Sequence, residues 1–268
     1  MSSTEHTSWM SANSAGRAWA VIERGFRTWR GGNWFAVLTG FFEPLFYLVA
    51  MGYGMSSLVG TVQGPAGVTM SYAAFIAPAM MATSAMNGAI YDATWNVFFK
   101  MKIMKIYQAM LATSLGPFDV ALGEISMALF RGFVYAVGFT AVIAALGLTH
   151  SWWALAMIPL ALLIALGFAA FGMAITSYLS RFQQMDVLSL ALMPMFLFSA
   201  TLVPLNVYPR VVQWFIMAFP LWHGVELMRQ LSLGVFTQYW WVHLLYFVLL
   251  SLAGILFTTR RLRSLFLR

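Results

Sequence analysis

Apolar runs of about twenty residues recur along this chain, separated by short basic patches. About 20 mostly apolar residues are needed for a helix to cross roughly 30 Å of hydrocarbon. Six windows reach that length: Trp34–Met55, Tyr72–Tyr91, Val120–Leu148, Trp152–Leu179, Val187–Val207 and Tyr239–Thr258. The third and fourth are long enough to tilt or to extend past the bilayer. A further apolar stretch, Arg210–Gly234, is interrupted by Pro220, His223 and Gly224. Each half is too short to cross, so it reads as two short helices dipping in from one face. Only 9% of the 268 residues are charged, against about 25% in soluble domains. A water-soluble fold would need a core larger than a chain of this size can enclose. The fold class is therefore all-α integral membrane, with six transmembrane helices.

The basic residues set the orientation. With six spans, both ends lie on one side. That side holds Arg17, Arg24, Arg27 and Arg30, then Lys100, Lys102 and Lys105, then Arg181, and finally Arg260, Arg261, Arg263 and Arg268. The other side holds only Arg210 and Arg229, while Arg131 falls within a span. Twelve against two places both termini in the cytoplasm and the protein in the inner (plasma) membrane. The net charge of +7 points to anionic headgroups rather than nucleic acid. Three regions follow: a cytoplasmic tail with an interfacial helix (1–33), the six-span domain (34–258), and a basic cytoplasmic tail (259–268). The first 33 residues hold no apolar core with a small-residue cleavage site, so no removable signal peptide is expected. Cysteine is absent, which excludes disulfides, thiolate metal sites and cysteine nucleophiles.

Two stretches outside the spans are amphipathic. Trp19, Ile22, Phe26 and Trp29 recur at helical spacing, with Arg17, Arg24 and Arg27 pointing away from that stripe. This is the pattern of a helix lying flat in the headgroup layer. Between spans two and three, Trp95, Phe99, Ile103, Ile106 and Met110 form a second stripe, with Lys100 and Lys105 in other directions and Lys102 at its border. Such a helix either rests on headgroups or docks a cytoplasmic partner.

Charged residues inside spans are costly and mark function or packing. Glu43 precedes the helix-bending Pro44 in the first span. Arg131 lies at similar depth in the third, so a Glu43–Arg131 ion pair is geometrically possible, serving either helix packing or substrate passage. Asp92 reads as a cap for a helix opening at Thr94–Trp95. Asp119, after Pro117, suits a helix N-terminus, with Glu124 about one turn further in. His243 reads as a satisfied interior histidine. No His/Asp/Glu cluster has metal-ligand spacing, and no serine–base arrangement suggests a hydrolase. The three lysines, Lys100, Lys102 and Lys105, never follow glycine, so there is no phosphate-binding P-loop and no ATPase of the chain's own. No catalytic residue is assigned, and no cofactor is expected in this chain.

Several motifs taken together resemble the type-2 ABC exporter permeases, and in particular the nodulation-factor and drug-resistance exporter group. They are Phe42-Glu43-Pro44-Leu45-Phe46-Tyr47-Leu48 with Gly52-Tyr53-Gly54, Met80 to Asn87, Phe198 to Leu205 with Tyr208-Pro209, and Pro220 to Arg229. The resemblance runs from about Ala18 to Arg263. One departure is Ala200, where many relatives carry glycine; smallness for close helix packing would make the two equivalent. The resemblance implies a transport subunit, not an enzyme. Two such permease chains, identical or related, would pair and bind two cytoplasmic ABC ATPase subunits that hold ATP and Mg. Trp95, Phe98, Phe99, Lys102, Ile103 and Ile106 would seat the coupling helix on an ATPase, helped by the interfacial helix with Trp19, Arg24, Phe26 and Trp29. The broken segment, with Pro204, Pro209, Pro220, His223 and Glu226, would sit at the external mouth between spans five and six. The cargo implied is amphipathic: a lipid, a lipid-linked glycan, a glycolipid-like molecule or a drug. An ion-gradient-driven secondary transporter is the alternative.

Overall fold

A computed structural model describes residues 14–30, 42 and 44–266. Within them the chain is mostly helical. Helix α1 spans Ser14–Arg30, and α2 spans Pro44–Val59 with a π-helical stretch at Leu48–Tyr53. A short antiparallel hairpin follows, pairing β1 (Thr61–Gln63) with β2 (Thr69–Ser71), Val62 opposite Met70. The all-helical expectation missed this hairpin. Its turn at Gly64–Gly67 uses positive φ at Ala66 and Gly67, a conformation that glycine adopts freely and alanine only with strain.

Helix α3 is the centre of the molecule. It starts at Tyr72, capped by the Ser71 side chain accepting from the Ala74 amide, and continues to Ile103. Nearly every residue from Tyr72 to Ile90 is buried. The expected end at Tyr91 is not a break. The helix continues through π-helical turns at Asp92–Asn96 and Phe99–Ile103, so Asp92 lies mid-helix instead of capping a new one. The turn comes at Lys105, at φ 52°, before the short α4 (Ile106–Leu111). Helix α5 (Pro117–Ala145) opens with proline in its first turn, where a missing N–H costs nothing. The Asp119 carboxylate accepts from the Gly116 amide at 2.9 Å, satisfying a donor at that helix start.

Helix α6 (Trp152–Thr176) packs along α3, α5 and the last helix, α10 (Trp240–Phe266). A Cβ at Gly254 would lie 2.6 Å from the Ala170 backbone carbon. Glycine there lets α10 and α6 touch backbone to backbone, the close approach small residues permit in apolar surroundings. Helix α7 (Gln184–Leu197) has 14 residues, about 21 Å at 1.5 Å per residue. It stops short of the fifth window's expected end at Val207. The chain then turns through Ala200, at φ 54°.

The broken segment is as expected in kind. Helix α8 (Arg210–Met217) and α9 (Pro220–Leu233) meet at 90°. The cause is local: Pro220 forces Phe219 into an extended conformation, φ −76° and ψ 134°. Gly234 ends α9 in the left-handed conformation at φ 71°. Helix α10 runs to Phe266, through most of the stretch assigned to a basic tail. Among the described residues four helices are long and apolar enough to span a bilayer, or five if the bent α8–α9 pair counts as one. The first expected span is described only in part, since 31–41 and 43 lie outside the described residues. Helix α7 is shorter than a full span.

Candidate functional site

Two regions at opposite ends of the bundle concentrate the polar chemistry. At one end lie α1, the Lys105 turn and the end of α10. Helix α1 docks on α5 through Phe26, whose ring meets Phe130 at 4.6 Å, and through Gly25, where a Cβ would strike Met127. Val21 is buried, while Trp19 is exposed; the packed face is thus rotated from the stripe that Trp19 suggested. Trp29 belongs to the same helix. Arg24 is exposed, and Arg27 pairs with Glu23 one turn away at 2.6 Å.

The residues expected to seat a partner divide into two groups. Trp95, Phe98 and Phe99 set their rings edge-on to Phe182, in the α6–α7 loop, at centroid distances of 5.3, 6.2 and 5.9 Å. They form a collar within the chain, in which Phe98 is buried, Trp95 and Phe99 are half-buried and Phe182 is exposed. Edge-to-face aromatic contacts of this kind fix neighbouring elements. What faces outward is the turn itself: Lys102, Ile103, Met104 and Lys105 are all exposed, and Ile106 is half-buried. Phe182 had no periodic pattern to betray it; its loop position hid its role.

Behind this tip two ion pairs join α3 to α5. Lys100 Nζ lies 2.6 Å from the Glu124 carboxylate, and Arg131 lies 2.7 Å from Asp92. Asp92 also accepts from the Asn96 amide at 2.6 Å. Glu124 and Asp92 are nearly buried, with side chains 9% and 8% exposed. Burial pushes the Tyr107 phenol well above its usual value, and the Glu124 charge beside it pushes further in the same direction. Arg131 thus has an acidic partner on α3. Glu43, the partner expected from sequence, lies outside the described residues.

At the other end an open cavity of about 810 Å³ is bounded by the β-hairpin, the turn after α7, the α8–α9 bend and the start of α10. Pro204, His223 and Glu226, expected near such a mouth, line it. Pro209 instead precedes α8 and Pro220 opens α9, so both act on the backbone. His243 is satisfied by another histidine: its Nδ1 is 2.7 Å from Nδ1 of His223, and Tyr246 stacks on His223 at 4.2 Å. Trp222 lies edge-on to both imidazoles. Amides from Gln63, Asn206 and Gln213 complete a rim that can hydrogen-bond hydroxyl groups and stack on flat faces.

Arg229 is the least expected residue of this region. Counted from sequence among the charges of the external side, it is buried at 3% exposure. Its Nε donates to the Phe75 carbonyl at 3.1 Å, and Nη2 donates to the Ala200 and Thr201 carbonyls at 2.7 and 3.0 Å. The guanidinium sits 3.5 Å above the Phe75 ring. Tyr72 braces the same turn by donating to the Leu202 carbonyl at 3.0 Å. Arg229 therefore ties α9 to α3 and to the turn after α7. Among the described residues no cluster could hold a metal ion.

Comparison with known proteins identifies a family and several relatives. The family described as ABC-2 type transporter is matched by residues 17–233. Nodulation protein J of Rhizobium leguminosarum bv. trifolii is 32% identical over 216 residues, 80% of each chain. Nodulation protein J of Rhizobium meliloti (strain 1021) is 29% identical over 216 residues, again 80% of each chain. Its counterpart from Bradyrhizobium diazoefficiens is 30% identical over 215 residues, with the same shares covered.

Proposed function

Because this chain belongs to the ABC-2 type transporter family, of which it is a membrane subunit, we propose that it forms half of the path of an ATP-driven exporter. The energy comes from separate ABC ATPase subunits, two per assembly, which hold ATP and Mg; this chain holds neither. A second permease chain, identical or related, completes the path. Six crossings leave both termini, α1 and the Lys102–Lys105 turn in the cytoplasm. The cargo is amphipathic, a lipid-linked or glycolipid-like molecule or a drug, and it leaves through the mouth bounded by the hairpin and the α8–α9 bend. An ion-gradient carrier is not favoured for a member of this family.

The observation that carries the reading is the exposed Lys102–Lys105 turn, held out from the bundle by an aromatic collar and two ion pairs. A rigid exposed projection with a mixed basic and apolar tip is what an ATPase can push against. ATP binding would close the ATPase pair and rock the permease between inward and outward access. The test is to purify the chain together with the products of adjacent reading frames. The reading predicts a co-purifying P-loop ATPase whose hydrolysis drives export in reconstituted vesicles. Transport driven by a proton gradient alone would defeat it.

A further inference from the structure

The two ion pairs behind the tip are arranged so that position along the helices matters as well as contact. Asp92 and Lys100 are eight residues, about two turns, apart on α3. Glu124 and Arg131 are seven apart on α5, about 10.5 Å. The helices run antiparallel, so Lys100 meets Glu124 near the tip and Asp92 meets Arg131 deeper in the bundle. Each helix carries one charge of each sign, in opposite order. If α5 slides away from the tip, Glu124 approaches Asp92. If it slides toward the tip, Arg131 approaches Lys100. Like charges converge either way, and both pairs break. A small cavity of about 30 Å³ between the rungs, lined by Asp92, Asn96, Lys100, Glu124 and Arg131, has room for about one water.

We propose that Asp92, Lys100, Glu124 and Arg131 are positioning residues forming an electrostatic register lock, which makes the tip half of α3 and the whole of α5 move as one body. The inference rests on the reading of the Lys102–Lys105 turn as the ATPase contact and adds how its displacement reaches the transport path. The lock is needed there because α3 has two π-helical turns between its buried half and the tip, and π turns interrupt the regular α-helical ladder, most often at functional sites. Unbraced, a push on the tip would be absorbed by those turns. Setting register is also the best-attested use of buried charge, whose net contribution to stability is small.

The test compares three variants of the complete permease–ATPase complex in vesicles, reading export per ATP hydrolysed. In the first, Lys100→Glu with Glu124→Lys inverts one rung. Both pairs survive, but sliding now brings opposite charges together, so the lock is lost. In the second, Asp92→Arg with Arg131→Asp is added, which restores the diagonal pattern with all signs reversed. In the third, Lys100→Met with Glu124→Leu removes one rung without leaving a buried unpaired charge, a change expected to be neutral or stabilising for folding. The lock predicts that export per ATP falls roughly two- to thirty-fold in the first and third variants, and that the second regains most of it. Equal coupling in the first and third variants and the wild type would overturn the lock. So would a second variant that folds and stays as uncoupled as the first. A wild-type complex with no ATPase-driven export would instead defeat the functional reading itself.

Discussion

Replacing Arg229 by methionine should be among the most damaging single changes at the hairpin end of the bundle. The guanidinium donates to three carbonyls, two of them, Ala200 and Thr201, in a turn outside the helical ladder. Leaving those two buried acceptors unserved costs about 1–3 kcal/mol each. Loss of the contact above the Phe75 ring at 3.5 Å adds on the order of 2 kcal/mol where water is excluded. Against this, methionine no longer has to bury a charge, a saving of several kcal/mol. The net is a loss of about 3 kcal/mol, or on the order of 10 °C in unfolding midpoint for a chain of this size. Arg229→Lys keeps the charge but not the planar fork, and should fall between the two. Tyr72→Phe removes one hydrogen bond to the same turn and should cost only about 1 kcal/mol. The assay is thermal unfolding of detergent-purified protein, followed by intrinsic tryptophan fluorescence and by recovery of the monodisperse fraction. An Arg229→Met protein as stable as the wild type, or one no less stable than Tyr72→Phe, would refute the claim that this arginine holds the turn.

Ala200→Gly should raise the unfolding midpoint, since a non-glycine residue at φ 54° carries about 1–2 kcal/mol of backbone strain that glycine relieves; an unchanged or lower midpoint would contradict this. Gly254→Val should lower the yield of folded protein and the midpoint, because even a Cβ meets the Ala170 backbone at 2.6 Å and overpacking costs about 1–3 kcal/mol; Gly254→Ala should be milder in the same assay. Ile103→Asp should leave folding intact, because the side chain is 57% exposed, yet reduce ATPase co-purification by at least roughly tenfold, equivalent to about 1.4 kcal/mol of binding.

The fold was legible in the sequence where it depends on solvent. Apolar runs gave the long helices α3, α5, α6 and α10, and Pro220 gave the break between α8 and α9. Boundaries were harder to read. Asp92 and Lys100 are polar enough to suggest that a helix has ended, but here their charges are neutralised by Arg131 and Glu124 from another helix, and α3 runs on. That partnership joins residues far apart in the chain, which no local periodicity reveals. The same limit hid Arg229, since three carbonyl partners from α3 and the turn after α7 are what make its burial tolerable. At Ala200 side-chain size alone would make alanine and glycine equivalent. The structure shows that the backbone conformation decides, because the left-handed region makes alanine and glycine unequal there. The stripe from Trp95 to Met110 suggests a single helix between spans two and three, whereas Trp95 and Phe99 lie on the continuation of α3 and the chain turns at Lys105 before α4; their rings meet Phe182 of the same chain, and the turn beyond is exposed.

The central claim is that the Lys102–Lys105 turn faces the cytoplasm and seats an ATPase. The chain has no cysteine, so a single Met104→Cys substitution supplies a unique label site on that turn. With a membrane-impermeant maleimide, the account predicts no labelling of intact cells, labelling of inside-out vesicles stripped of peripheral proteins, and protection when the ATPase subunit is added back. Labelling from outside intact cells, or labelling of stripped vesicles that added ATPase leaves unchanged, would contradict it.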